Sequence, residues 1–160
     1  MYEEREPLFD KLQTSRAIKA LVEKYADDLR GVYVEEGGKK IPVSRLSIVD
    51  YFDVVRLIPY RKDTKPIEII SRPHHILKYR GLGMDCKKKS ILMASFFKLR
   101  NIPFRFIGSS RRPDKKIHHI FTQAKVNPDG TRSNKFVNYD STYKHYRPAM
   151  EKKVTAFEVL

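Results

Sequence analysis

The chain has a single cysteine, Cys86, and no tryptophan in 160 residues. One thiol excludes an internal disulfide framework. It fits a reducing compartment, or a thiol kept for its chemistry. No apolar run approaches the roughly 20 residues of a membrane span. The N-terminus, MYEEREPLFD, is acidic and lacks the apolar core of a signal peptide, so a cytoplasmic, membrane-free protein is expected. Only seven glycines are present, and none builds a phosphate-cradling loop. The histidines His74, His75, His118, His119 and His145 and the lone cysteine show neither Cys-x-x-Cys nor His-x-x-x-His spacing. No metal and no cofactor is therefore expected.

Acidic residues are scarce in one part of the chain. Net charge is +14, from 33 Lys/Arg against 19 Asp/Glu. Residues 1–50 carry 9 of those cations and 10 of the acids, so the whole excess lies in residues 51–160. Such a field favours acidic polymers, nucleic acid or acidic proteins, as weak contacts. A hydrophobic fraction of 41% with 32% charged residues fits one globular domain with its own core.

The stretch organising the rest is GMDCKKKSILMASFFKLRNIPFRFIG, residues 83–108. Ile91, Leu92, Met93, Ala94, Phe96, Phe97 and Leu99 have helical spacing with no Gly or Pro among them. Asn101-Ile102-Pro103 ends the helix, because the residue before a proline is pushed out of the α region. Phe104 to Gly108 alternates as a strand. Cys86 thus sits in the first turn of a buried helix, where unpaired N–H groups favour a thiolate.

Before it, Pro7 to Arg30 has the stripe of an amphipathic helix, with Gly31 as its stop. Residues 32–43 form a hairpin turning at Gly37-Gly38. In that register Glu36 faces Lys39 and Glu35 faces Lys40, and Pro42 marks an edge. A second helix runs from Ser44 to about Leu57. Ile67 to Ile70 is extended, and Ser71-Arg72-Pro73 starts a short helix through Arg80. Ser109 to Lys116 reads as a basic loop. Strands follow at Ile117 to Val126 and Lys135 to Asp140, joined by the turn Asn127 to Gly130, and the tail adds a strand at Val154 to Val159. Helices crowd the first half and antiparallel strands the second, an α+β arrangement.

Gly83-Met84-Asp85-Cys86, Asn101-Ile102-Pro103, His119-Ile120-Phe121 and Asp140-Ser141-Thr142 occur in that order. Together they resemble the transglutaminase-like cysteine enzyme superfamily, in its small bacterial or phage-type form. The likeness covers roughly residues 44–142. It implies a transglutaminase-like (papain-like) core at 44–160, with the nucleophile at a helix start packed on an antiparallel sheet. Residues 1–43 are then an N-terminal helix and hairpin extension.

The resemblance implies a triad: Cys86 as nucleophile, His119 as general base and acid, Asp140 orienting the imidazole. Periodicity alone leaves His118 and His119 open, since neighbours on a strand face opposite ways. The aromatic residue two positions on selects His119, through Phe121. Tyr60 is the oxyanion candidate, beside the helix-start N–H of Cys86. The chain departs from the pattern in lacking Trp, in lacking the calcium loops of the mammalian crosslinking enzymes, and in carrying Lys87, Lys88 and Lys89 after the cysteine. Three cations there are expected to favour the thiolate further.

The expected function is an enzyme acting on amide bonds of a protein or peptide, as peptidase, deamidase or acyl transferase. The alternative is a catalytically idle fold kept as a basic binding or assembly module, for instance in a phage or prophage particle. A plain nucleic-acid binder ranks third, because no aromatic–basic alternation of a binding motif occurs.

Overall fold

The computed structural model describes residues 3–7, 11–62, 67–78 and 80–160. Its elements are β1 (Glu3–Pro7), α1 (Lys11–Tyr25), a 3₁₀ segment (Ala26–Gly31), β2 (Tyr33–Glu36), β3 (Lys39–Pro42), α2 (Ile48–Arg56), β4 (Ile67–Ser71), α3 (Pro73–Lys78), α4 (Cys86–Leu99), β5 (Phe104–Ser110), β6 (His119–Val126), β7 (Arg132–Tyr139) and β8 (Ala156–Val159). Helices from the first half pack on a four-stranded antiparallel sheet of order β7-β6-β5-β8. This is the α+β arrangement read from the sequence.

Helix α4 is the centre. Residues 89–97 are all buried, so it is covered on every side. Asp85 caps its start, its Oδ1 accepting from Lys88 N–H at 3.1 Å. At its end Asn101 adopts φ 54°. Asn101 N–H donates to the Lys98 carbonyl at 3.1 Å and Ile102 N–H to that of Phe97 at 3.0 Å. This is the left-handed closure that satisfies two last-turn carbonyls. Helix α2 packs alongside with Ile48, Tyr51, Phe52 and Val55 buried, a spacing that lays them on one face. Tyr51 stacks on Phe96 at 4.2 Å, and its hydroxyl donates to the Leu92 carbonyl at 2.7 Å. Ile18, Leu21, Val22 and Leu29 join the same core, so residues on both sides of position 43 share it.

The hairpin at 33–42 has the expected register, with Glu35 opposite Lys40 and Glu36 opposite Lys39. Gly37 and Gly38 have φ 57° and 78°, the conformation a two-residue hairpin loop demands and only glycine adopts without strain.

Several boundaries differ from the sequence reading. Pro7 ends β1, paired to β4, and the helix begins at Lys11; residues 8–10 of the expected helix lie outside those described. Ser47, not Ser44, caps α2, its Oγ accepting from Asp50 N–H at 3.1 Å. A 3₁₀ turn occupies Val43–Arg45 instead. Ser71 closes β4, while Pro73 opens α3. Ser109 and Ser110 are buried strand residues rather than loop, because β8 pairs there on one side and His119 on the other. Asp140 lies one residue beyond β7. Among the described residues no helix is long and apolar enough to cross a membrane.

Candidate active site

Helix α4 meets β6 through polar contacts inside the core. Ser90 Oγ donates to the Cys86 carbonyl at 2.7 Å and lies 3.3 Å from the Ile120 carbonyl. Thr122 Oγ1 donates to the Ser90 carbonyl at 3.1 Å. These bonds fix the helix along the strand. One turn before Ser90, the half-buried Cys86 comes level with the start of β6, where His119 stands.

His119 connects the other two residues. Its Nε2 is 2.8 Å from Asp140 Oδ2, and the Cys86 side chain lies close enough to act on the ring's charge. Phe121 stacks against the imidazole, centroids 6.0 Å apart at 28°. Burial pulls the His119 pKa down. The hydrogen bonds to Asp140 and Cys86, and the charges of both, outweigh that and raise it to about 9. An imidazolium therefore persists through neutral pH beside the sulfur.

Asp140 is 2% exposed and well supplied with donors. Thr142 gives Oδ1 both its N–H at 3.1 Å and its hydroxyl at 2.6 Å. Lys152 Nζ reaches Oδ2 at 2.5 Å, the oxygen that His119 also holds. Burial works against the charged carboxylate. The His119 and Lys152 hydrogen bonds and charges overcome it and hold Asp140 well below the usual carboxylate range.

Tyr60 is delivered by a different contact. Met84 N–H donates to the Pro59 carbonyl at 2.9 Å and Arg61 N–H to that of Met84 at 3.0 Å, a parallel bridge beside the helix start. Gly83 allows this approach. It has φ +81°, and a Cβ there would stand 3.0 Å from the Pro59 carbonyl oxygen and from Arg61 Cβ. The Tyr60 phenol is pushed up to about 12, by burial first and then by the charges of Cys86, Tyr143 and Asp85. It stays protonated, hence a donor, at neutral pH. Tyr143 packs against it with centroids 5.0 Å apart.

The helix start supplies further donors. Of the first-turn N–H groups, that of Lys88 is taken by Asp85 Oδ1 and that of Lys89 by the Asp85 carbonyl at 3.2 Å. That of Cys86 is the first of the helix and is not used within it.

Cys86, His119, Asp140 and Tyr60 are thus gathered in one place. His118 is not among them. It is exposed and precedes β6, and its Nε2 accepts from Arg111 N–H at 2.9 Å. The three lysines after the cysteine do not act together, contrary to expectation. Lys87 pairs with Asp85 at 2.6 Å, which balances its charge. Lys89 turns inward and is 1% exposed. Its Nζ donates to the carbonyls of Ile58 at 2.6 Å, Thr142 at 2.7 Å and Arg56 at 3.3 Å. Burial lowers its pKa to about 8 against the pull of Asp140. It ties α2, α4 and the Asp140–Thr142 turn together from behind.

Lys152 was missed by sequence reasoning. It arrives because the tail folds back on β7, with Ala149 N–H on the Asn138 carbonyl at 2.8 Å and Asn138 Nδ2 on that of Met150 at 3.1 Å. Ala149 turns with φ 61°. A lysine in an unpatterned tail gives no local signal of such a contact. Among the described residues, no three His, Cys, Asp or Glu side chains converge as a metal site would require. Comparisons of the chain with protein-family models, with curated proteins and with solved structures gave no match.

Proposed function

We propose that this chain is a transglutaminase-like cysteine enzyme acting on amide bonds of proteins or peptides, on a papain-like core at residues 44–160. The observation that carries the reading is the His119 imidazole, 2.8 Å from a buried carboxylate and near enough to Cys86 for the thiol to raise its pKa. A histidine kept for packing alone has no need of a thiol beside it and a buried, four-donor carboxylate on its Nε2.

The chemistry follows from those positions. Cys86 sulfur attacks the amide carbonyl carbon, and the carbonyl oxygen becomes an oxyanion. The Tyr60 hydroxyl and the helix-start N–H of Cys86 face that charge. The C–N bond then breaks, and His119 gives its proton to the departing nitrogen, leaving a thioester and a neutral imidazole. His119 next takes a proton from water as the water attacks, and the acid and free thiol are released. Asp140 keeps the imidazole oriented throughout. Hydrolysis is favoured over crosslinking because, among the described residues, no feature of the site marks a place for an acceptor amine.

The test is the reaction of Cys86 with iodoacetamide at pH 6, followed by intact mass. Rapid labelling, lost in His119→Gln and retained in His118→Gln, is expected. Labelling no faster than that of a free thiol, whatever stands at 119, would return the chain to the idle, basic assembly-module reading.

A further inference from the structure

Among the described residues, three segments that adjoin the site residues in the chain expose cations and a single carboxylate. Loop 111–116 runs directly into His118 and His119 and exposes Arg111, Arg112, Lys115 and Lys116, with Asp114 as its one acid. Arg111 is close enough to Tyr143 to oppose the upward push of burial on that phenol, and Tyr143 also feels Cys86. Tyr143 therefore lies within electrostatic range of both Arg111 and Cys86. The second segment, 143–147, follows the Asp140–Thr142 turn and exposes Lys144 and Arg147. The third, beside the Tyr60–Met84 bridge, exposes Arg61 and Lys62.

Among the described residues none of these eight cations is in an ion pair. Some cations elsewhere are: Arg30 with Asp27, Arg72 with Asp28, Lys98 with Glu23. A mouth rimmed by one sign of charge focuses its field on ligands of the other sign.

We infer that the substrate of Cys86 presents its reacting amide within an acidic stretch of polypeptide, with Asp or Glu on both sides. The inference rests on the enzyme reading above and names its substrate class. A polypeptide fits better than a nucleic acid for two reasons. The cations lie on segments adjoining His119, Asp140 and Tyr60, and the thiol beside them is placed to attack an amide carbonyl, which a sugar–phosphate backbone lacks. The aromatic residues at the site, Tyr60 and Tyr143, pack against each other with centroids 5.0 Å apart rather than standing as a row of stacking platforms.

The experiment uses two peptides of equal length, each carrying a chloroacetamide at the central residue, flanked by Glu in one and by Lys in the other. The rate of Cys86 labelling is read by intact mass on the full chain. At low ionic strength the Glu peptide should label at least about 10-fold faster, in the range that focused fields produce. The ratio should fall toward one at about 1 M salt, where charges are screened beyond about 3 Å. Arg111→Glu/Arg112→Glu should cut or reverse it, and so should Lys115→Glu/Lys116→Glu. Using the ratio cancels any change in thiol reactivity common to both peptides. A His119-dependent, reactive Cys86 with a ratio of one overturns the acidic-substrate inference and leaves the enzyme reading intact. A sluggish Cys86 that keeps the Glu preference overturns the enzyme reading and supports the acidic-peptide preference of the rim. If single-stranded oligo(dT) blocks labelling at lower concentration than an unreactive Glu peptide of equal charge, the rim is a nucleic-acid groove and the inference is wrong.

Discussion

Lys152 Nζ stands 2.5 Å from Asp140 Oδ2, the same oxygen that His119 Nε2 approaches at 2.8 Å. One carboxylate oxygen therefore serves two cations. Lys152 is held there by the Tyr146 ring, 4.0 Å from its Nζ, and by the Phe121 ring at 5.5 Å. The ammonium draws part of the carboxylate field away from the imidazolium and repels it directly.

Replacing Lys152 by Met should therefore raise the His119 pKa, since a repelling charge is gone and Asp140 is left to the histidine alone. Lys152→Arg should restore the original value. The titration is read from the imidazole proton resonances. A packing role alone predicts no upward movement, and a downward movement would show that Lys152 mainly positions the carboxylate.

Stability should depend on pH through the same pair. His119 has a folded pKa of about 9 against an ordinary value of 6.5. Its contribution is full below about 6.5 and is lost as pH rises through 9, and amounts to roughly 3 kcal/mol by linkage. Asp140 is depressed, so its contribution is present above its ordinary value of 3.8 and is lost as pH falls below that. Lys89 acts in the opposite sense above about 8, where losing its proton relieves the cost of burying the charge. The measurement is urea unfolding from pH 6 to 9.5 for the wild type and for His119→Gln. The gap between the two should close as pH rises, and a constant gap would mean that the imidazole is neutral in the fold.

Much of this arrangement was legible in the sequence, for identifiable reasons. The hairpin was fixed by Gly-Gly between β-rich runs and by Glu opposite Lys, all local features. Helix α4 was visible because it is apolar around its circumference and ends at Asn-Ile-Pro. The juxtaposition of Cys86, His119 and Asp140 followed from motif order rather than from periodicity, which could not choose between His118 and His119. Other features depend on distant partners. Ser44 looks as good a cap as Ser47, and only the 3₁₀ turn that continues the hairpin decides between them. Lys87, Lys88 and Lys89 look alike in one dimension. Only the helix sets one toward Asp85 and another toward three carbonyls.

Lys89 offers a direct check of that last distinction. It carries a charge into the core, where the carbonyls of Ile58, Thr142 and Arg56 surround it. Lys89→Met keeps the length of the side chain and removes the donors. Three carbonyls then lose a partner, and the loss should be about 3 kcal/mol, the lower end for breaking a buried charged cluster. The half-buried Lys88, on the same turn, makes no such bonds among the described residues, and Lys88→Met should cost about 0.5 kcal/mol or less. Urea midpoints compare the two, and equal effects would place Lys89 outside the core.

Tyr60 separates binding of the thiol probe from stabilisation of an oxyanion. Its phenol is half-exposed, beside the helix start, and protonated up to a pKa of about 12. Alkylation by iodoacetamide is a displacement at a saturated carbon and develops no oxyanion. Acylation by p-nitrophenyl acetate passes through a tetrahedral oxyanion. Tyr60→Phe removes one donor and little volume, so it should slow the nitrophenolate burst by roughly 10-fold or more, at the modest end of what an oxyanion donor supplies. Alkylation of Cys86 should change little. The backbone N–H of Cys86 remains, so the burst should be weakened rather than abolished. Equal slowing of both reactions would show that Tyr60 acts by shaping the thiol's surroundings. No slowing of either would leave the helix start as the sole source of oxyanion donors and remove Tyr60 from the site.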